Sequence, residues 1–231
     1  MLLLEGLVSG ILIGCIYALV GFGMSIIYGV MRVVNFAHGD FLVFASFVAY
    51  WLYVHFHLDP VLAMIIVLPL YFGLGLLVYL AIIPRLNKSS DPETASFLAF
   101  FGVSFIMIYL MNLLFGATPR GIPFPYGNLF SQSVGIGPLH LSSSRILAAL
   151  VSVIVVALLV MFLYRTHYGR AIRAVIQNRE AAKILGVNTN HVSAVSLGIG
   201  FLIVGVAGAL ITLVFPSISF KLGSNYTTTA F

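Results

Sequence analysis

The chain has 231 residues, of which 61% are hydrophobic and only 7% charged, with a mean hydropathy of +1.13. Soluble domains carry roughly 25% charged residues, so a soluble core of this length is excluded and the surrounding solvent is lipid. The net charge of +5 sits in loops between apolar spans, with no basic face interleaved with aromatics, which excludes a nucleic-acid partner and points to membrane orientation.

Residues 4 to 28 read as a first spanning helix, long enough at about 1.5 Å per residue to cross roughly 30 Å of hydrocarbon. Leu12-Ile13-Gly14-Cys15 looks like a lipoprotein cleavage box, but a signal peptide needs a positive n-region and Glu5 is the only charge before Arg32, so lipidation is not expected. Cys15 is the single cysteine and excludes an internal disulfide or a cysteine-based zinc site. Gly6, Gly10 and Gly14 recur every fourth residue, with Ala18 one step further. That spacing makes a smooth groove for a neighbouring helix, and the span is expected to be buried in a bundle.

Tyr28 to Asp40, YGVMRVVNFAHGD, places Arg32, Asn35, His38 and Asp40 before an apolar return at Phe41 to Tyr53. Two helices joined by a short interfacial turn account for it. So does a broken or re-entrant element lining a cavity, because irregular backbone at membrane depth survives only where protein or water satisfies it. The interfacial turn is the simpler expectation, and Gly39 suits either case. His55, His57 and Asp59 at the end of the span read as interfacial loop, since no further ligand cluster backs a metal site.

Residues 61 to 83 form the next span, ended by Pro84, and the loop Arg85 to Glu93 leads to a span at 94 to 115. Gly116 to Ser142, with Pro119, Pro123, Pro125 and Pro138, reads as an ordered external loop holding a short hairpin or helix. Spans at 143 to 164 and 192 to 215 flank a basic loop at 165 to 191, and small residues recur in the last span as Ala194 with Gly198 and Gly205 with Ala209. The expected fold is all-α: one transmembrane domain over 1–231, a polytopic bundle of about six spans. Its loops at Arg32, at Arg85 with Lys88, and at 165 to 183 then share one side and hold eight of the eleven cations, against Arg120, Arg145 and Lys221 opposite. The crowded side is expected to be cytoplasmic and the N-terminus outside.

Within the basic loop, Arg165, Arg170, Arg173, Arg179 and Lys183 fall within nineteen residues. Ala171, Ile172, Val175 and Ile176 make a short apolar face. Asn178 can cap a second helix running through Glu180, Ala181, Ala182 and Lys183 to Gly186, a natural terminator. Two such helices suit insertion into a groove on another protein. An amphipathic segment lying on anionic lipid accounts for the five cations equally well.

Glu180-Ala181-Ala182, three residues, then Gly186 resembles the EAA-x3-G core that permeases of bacterial ABC importers present to their ATPases. The longer run GRAIRAVIQNREAAKILGVN is similar to the corresponding loop of branched-chain amino acid permeases of the LivH type. YGVMRVVNFAHGD is similar to that family's NFAHG segment, whose last position is often Glu where this chain has Asp40. The general importer motif continues to an Ile and a Leu-Pro, whereas here Ser196 stands ten residues beyond Gly186 and no Leu-Pro follows. Family members usually continue for further spans, so a chain stopping at Thr229-Ala230-Phe231 is expected to be short at its C-terminus.

The resemblance implies a multi-pass permease of the bacterial inner membrane that moves leucine-like amino acids. It pairs there with a second permease, two cytoplasmic ATPase subunits and a periplasmic or extracellular substrate-binding protein. It also implies ATPase coupling through Gly169, Arg170, Arg173, Arg179, Glu180, Ala181, Ala182 and Gly186. No G-x4-G-K-[ST] loop is present to hold a nucleotide phosphate, so ATP and Mg are expected on the partners and no cofactor or metal on this chain. Asn35 and His38, with the backbone at Gly39, are candidate polar groups on the solute pathway. The rival readings are a related permease for amides or urea and a passive channel. An intramembrane enzyme would need paired catalytic groups within spans, and all seventeen charged side chains fit in loops or at span ends.

Overall fold

Each long apolar run folds as a helix because lipid offers the backbone no hydrogen-bond partner but itself. The computed structural model describes residues 2–122, 133–136 and 139–230. Six helices among the described residues are long and apolar enough to cross a membrane: α1 (Leu2–Met31), α2 (His38–Phe56), α3 (Pro60–Leu86), α4 (Pro92–Phe115), α5 (Ser143–Arg165) and α8 (Thr189–Val214). Between α5 and α8 lie α6 (His167–Gln177) and α7 (Arg179–Ile184). After α8, a 3-10 turn at Phe220–Leu222 leads into α9 (Gly223–Ala230). The one sheet among the described residues is a hairpin before α5, in which β1 (Ser133–Ile136) pairs antiparallel with β2 (Leu139–Ser142). Pro123, Pro125 and Pro138 lie outside the described residues. The all-α bundle with six spans is the fold expected from the sequence.

Polar residues fix the helix ends. Asp59 Oδ1 accepts from Val61 N at 2.8 Å to start α3, Asp91 Oδ1 from Thr94 N at 3.2 Å to start α4, and Asn188 Oδ1 from His191 N at 3.0 Å to start α8. His57 closes α2 in the left-handed conformation (φ 52°), and His55 stacks on Trp51 with ring centroids 4.4 Å apart. His55, His57 and Asp59 thus shape a helix end and the turn after it.

At the centre stands α8, buried along nearly its whole length by α1, α2 and α3. Glycines let three neighbours approach it at once. A Cβ at Gly198 would lie 2.8 Å from the Phe72 ring and one at Gly205 2.8 Å from Tyr71, both on α3. A Cβ at Gly200 would lie 2.5 Å from Ile27 of α1, and one at Gly208 would overlap Leu42 O of α2.

The glycine repeat of α1 does something different, which corrects the expectation that it packs within the bundle. A Cβ added at Gly6, Gly10 or Gly14 would meet nothing within 4 Å. All three lie on the same exposed face as Leu3, Leu7 and Ile11. The reason is length: thirty residues rise about 45 Å, and the buried residues of α1 begin only at Ile16.

The second correction concerns residues 32–37. An interfacial turn was the simpler expectation, and the structure has the re-entrant alternative. Arg32 turns the chain in the left-handed conformation (φ 53°), and the segment then climbs back alongside α4. Val34 N donates to Ser96 Oγ at 3.0 Å, Phe36 packs edge-on against Phe97 and Phe101, and Asp40 meets Ser104. From Ser96 to Ser104 is about 12 Å along the helix axis. So α2 begins near mid-membrane, level with Ser104, rather than at the interface. Burial against α1, α4 and α9 makes this irregular backbone tolerable at such depth.

Candidate functional site

Polar side chains gather at two places, the elbow of α6 and α7 and the re-entrant segment. The elbow begins at Thr166, whose Oγ1 accepts from Gly169 N at 3.0 Å and donates to Phe162 O at 2.8 Å. Gly169 is buried in the bend, where a Cβ would overlap the carbonyl oxygens of Phe162 and Leu163. Any side chain there would force the elbow open. Ile172 and Val175 of α6 are buried with Val30 of α1, Ala182 of α7 and Val192 of α8. That satellite core uses the apolar face expected to enter a partner's groove or lie on lipid, so only Ile176 of that face remains exposed.

Asn178 Oδ1 accepts from Ala181 N at 3.0 Å and starts α7 as the sequence suggests. Gly186, at φ 83°, ends it, with Val187 N donating to Ala182 O at 3.0 Å. Asn178→Ala is expected to cost about 0.5–2 kcal/mol of local stability. The check is faster amide exchange over residues 178–186 with unchanged exchange in α8.

The residues expected to contact an ATPase occupy different environments. Glu180, Ala181 and Arg170 are exposed, while Ala182 is buried in the satellite core. Arg179 Nη1 donates to Val30 O at 3.3 Å and ties α7 to the end of α1. Arg173 lies over the Tyr164 ring, 4.4 Å from its centroid. Arg170 Nη2 donates to His167 Nδ1 at 2.9 Å, since a guanidinium only donates. Beside α7 runs a cleft of about 680 Å³ whose walls include Arg32, Lys183, Asp91, Glu93 and Glu180.

Two residues that the sequence reading did not single out complete the elbow. Ile184 and Leu185 are 85% and 82% exposed, at the tip between Lys183 and Gly186. The signal for Ile184 was phase, because Ala182 points into the core and the residue two further along a helix points away from it, while Leu185 lies just beyond the last helical residue. Adjacent apolar side chains there have no role inside the chain.

The re-entrant segment holds the other group. Asn35 and His38 are 0% exposed and Asp40 1%. His38 Nε2 donates to Val20 O at 3.2 Å, and Asp40 Oδ2 accepts from Ser104 Oγ at 2.5 Å. Gly39 N donates to Thr227 Oγ1 at 2.9 Å, and a Cβ at Gly39 would overlap Gly223 O, so the starts of α2 and α9 touch through backbone. Six buried side-chain polar atoms among the described residues lack a hydrogen-bond partner, and four of them belong to Asn35, His38 and Asp40. A buried unsatisfied group costs about 1–3 kcal/mol, so this concentration makes the segment the costliest polar cluster among the described residues.

Residues 6–231 match the family described as branched-chain amino acid transport system / permease component. The chain is similar to the high-affinity branched-chain amino acid transport system permease protein BraD of Pseudomonas aeruginosa, 26% identical over 98% of this chain and 78% of the relative. It is similar to the corresponding permease protein LivH of Escherichia coli, 25% identical over 98% of this chain and 77% of the relative. A probable LivH permease of Methanocaldococcus jannaschii is 26% identical over 91% of this chain and 65% of its own length. No solved structure matches.

Proposed function

Because the chain belongs to the family of branched-chain amino acid transport permeases, we propose that it is the membrane-spanning subunit of an ABC importer for leucine-like amino acids, driven by separate ATPase subunits docked on the elbow. The match over residues 6–231 carries the transport reading. The tip of Ile184 and Leu185 supports docking, because two apolar side chains held out on a capped helix fit a hydrophobic pocket on a partner. In this reading Gly169 and Arg179 set the angle of the elbow, Glu180 and Ala181 flank the tip on α7, and Arg170 is a further exposed cation on α6. The elbow end faces the cytoplasm and the N-terminus the outside, in the bacterial inner membrane, consistent with eight cations on that side. A second permease and an external substrate-binding protein complete the assembly, with ATP and Mg held by the ATPases.

Asn35, His38 and Gly39 act on the solute only when α2 parts from α1 and α9, since the side chains are enclosed here. Transport then follows from differential stabilisation of two states by the ATPases, not from bond chemistry in this chain.

Co-purification tests the docking. Glu180→Arg reverses a charge beside the tip, and Gly186→Pro imposes a φ near −65° where the chain needs 83°; each is expected to release the ATPases. Retention in both variants would reject the elbow as the docking site. Proteoliposomes of the full complex are expected to take up leucine only with ATP and the binding protein. Preferential uptake of amides or urea would move the chain to a sister branch.

A further inference from the structure

The depth of α9 follows from its contacts. Gly223 at its start abuts Asp40, which is bonded to Ser104 at the middle of α4. Ala230 at its end lines the same cavity as Met24, Val34 and Glu93, at the elbow end of α4. The helix therefore lies within the half of the membrane nearer the elbow.

At that depth α9 turns a polar face outward. Ser224, Asn225, Thr228 and Thr229 are exposed and fall on one side of the helix, at i, i+1, i+4 and i+5. Thr228 and Thr229 donate to Ser224 O at 2.9 Å and Asn225 O at 2.8 Å, which leaves their oxygen lone pairs facing outward. Among the described residues no hydrogen bond is made by the Asn225 amide. Hydrocarbon cannot satisfy such groups. The outward face of α4 over the same depth is apolar, with Leu98, Phe97 and Phe101 exposed. At one level of the bilayer, therefore, the chain carries a face suited to lipid and a face suited to water.

We infer that the polar face of α9 is a wall of the solute pathway through the elbow half of the membrane. The last residue of α9, Ala230, lies on the opposite, inward side of the helix, where it borders a separate cavity of about 400 Å³ with Met24, Ser25, Tyr28, Val34 and Glu93. Asn225 offers both a donor and acceptors, and Ser224 and the threonines offer acceptors. That set suits a zwitterionic amino acid, whose ammonium group needs acceptors and whose carboxylate needs a donor. The solute assignment rests on the importer reading above.

The test uses the full transporter in proteoliposomes, in a Cys15→Ser background, with a charged methanethiosulfonate on both sides. Asn225→Cys and Thr228→Cys are expected to react at least roughly tenfold faster than Leu98→Cys, because the reacting thiolate forms only in contact with water, and saturating leucine is expected to slow both. Rates no faster than that of Leu98→Cys mean a covered face and overturn the inference. Fast labelling that leucine leaves unchanged places the face off the solute route and overturns it as well. Uptake by the Cys15→Ser parent is read separately: its absence rejects the importer, whereas the labelling contrast needs no uptake.

Discussion

With Ile184 and Leu185 both changed to glutamate, the chain is expected to insert and fold normally but, with ATPases docking on the elbow as proposed, to lose them and all ATP-driven uptake. Both side chains are more than four-fifths exposed and belong to neither buried cluster, so the bundle does not depend on them. Buried apolar anchors at interfaces are worth about 2 kcal/mol or more each, and two together correspond to roughly a thousandfold in affinity. Charged replacements add the cost of desolvating a carboxylate in an apolar pocket. Thermal melting of the purified permease and co-purification with the ATPases read the two halves of this prediction. ATPases that stay bound to a normally folded double variant would remove the tip from the interface.

The second large effect is expected at Gly208. Its carbonyl accepts from Ser46 Oγ at 2.7 Å, and any Cβ would overlap Leu42 O and crowd Ala45. Gly208→Leu must therefore push α2 away from α8, and because the re-entrant segment begins α2, the displacement reaches Asn35 to Asp40 as well. Overpacking by a few methylenes costs about 1–3 kcal/mol, and a whole isobutyl group against backbone exceeds that range. The expected outcome is a chain that cannot be recovered as a monodisperse species. Gly14→Leu is the contrast, with open space at the same substitution, and is expected to leave the isolated chain no less stable, since leucine is a better helix former than glycine by roughly 0.5–1 kcal/mol. Equal damage from the two would show that tight approach at α8 is not what holds the bundle.

The spans were legible because each apolar run marks the hydrocarbon thickness. Their ends were less so: the run read as 61 to 83 and ended by Pro84 becomes Pro60–Leu86 with Pro84 inside the helix, and that read as 192 to 215 becomes Thr189–Val214, the starts being set by the caps Asp59 and Asn188. Asn178 and Gly186 were legible as cap and terminator since both act on their own backbone. The faces of the helices were not. A glycine every fourth residue says that a neighbour can approach, not that one does, and in α1 none of the described residues does. The glycines of α8 fall at 198, 200, 205 and 208, a spacing without a single face, because they serve three neighbours. The depth of Asn35 to Asp40 was hidden for a related reason: a turn at the interface and a turn enclosed by protein need the same local residues. The segment SNYTTTA has no apolar period to announce a helix, and its contacts with Gly39 and Asp40, far away in sequence, decide it.

The touching starts of α2 and α9 have a geometric consequence. The first arm runs along α1 toward the elbow, doubles back, and begins a helix at half depth; the second runs along α8 away from the elbow, doubles back, and begins a helix at the same depth. A half-turn about an axis lying in the bilayer plane exchanges the two arms in direction, the pseudo-dyad of an inverted-topology repeat. In transporters built on such a repeat, one arm rocking against the other opens a central site to each compartment in turn. For any such two-state element, a ligand or motor needs about 5.5 kcal/mol of preference for one state to carry the population from 1:99 to 99:1.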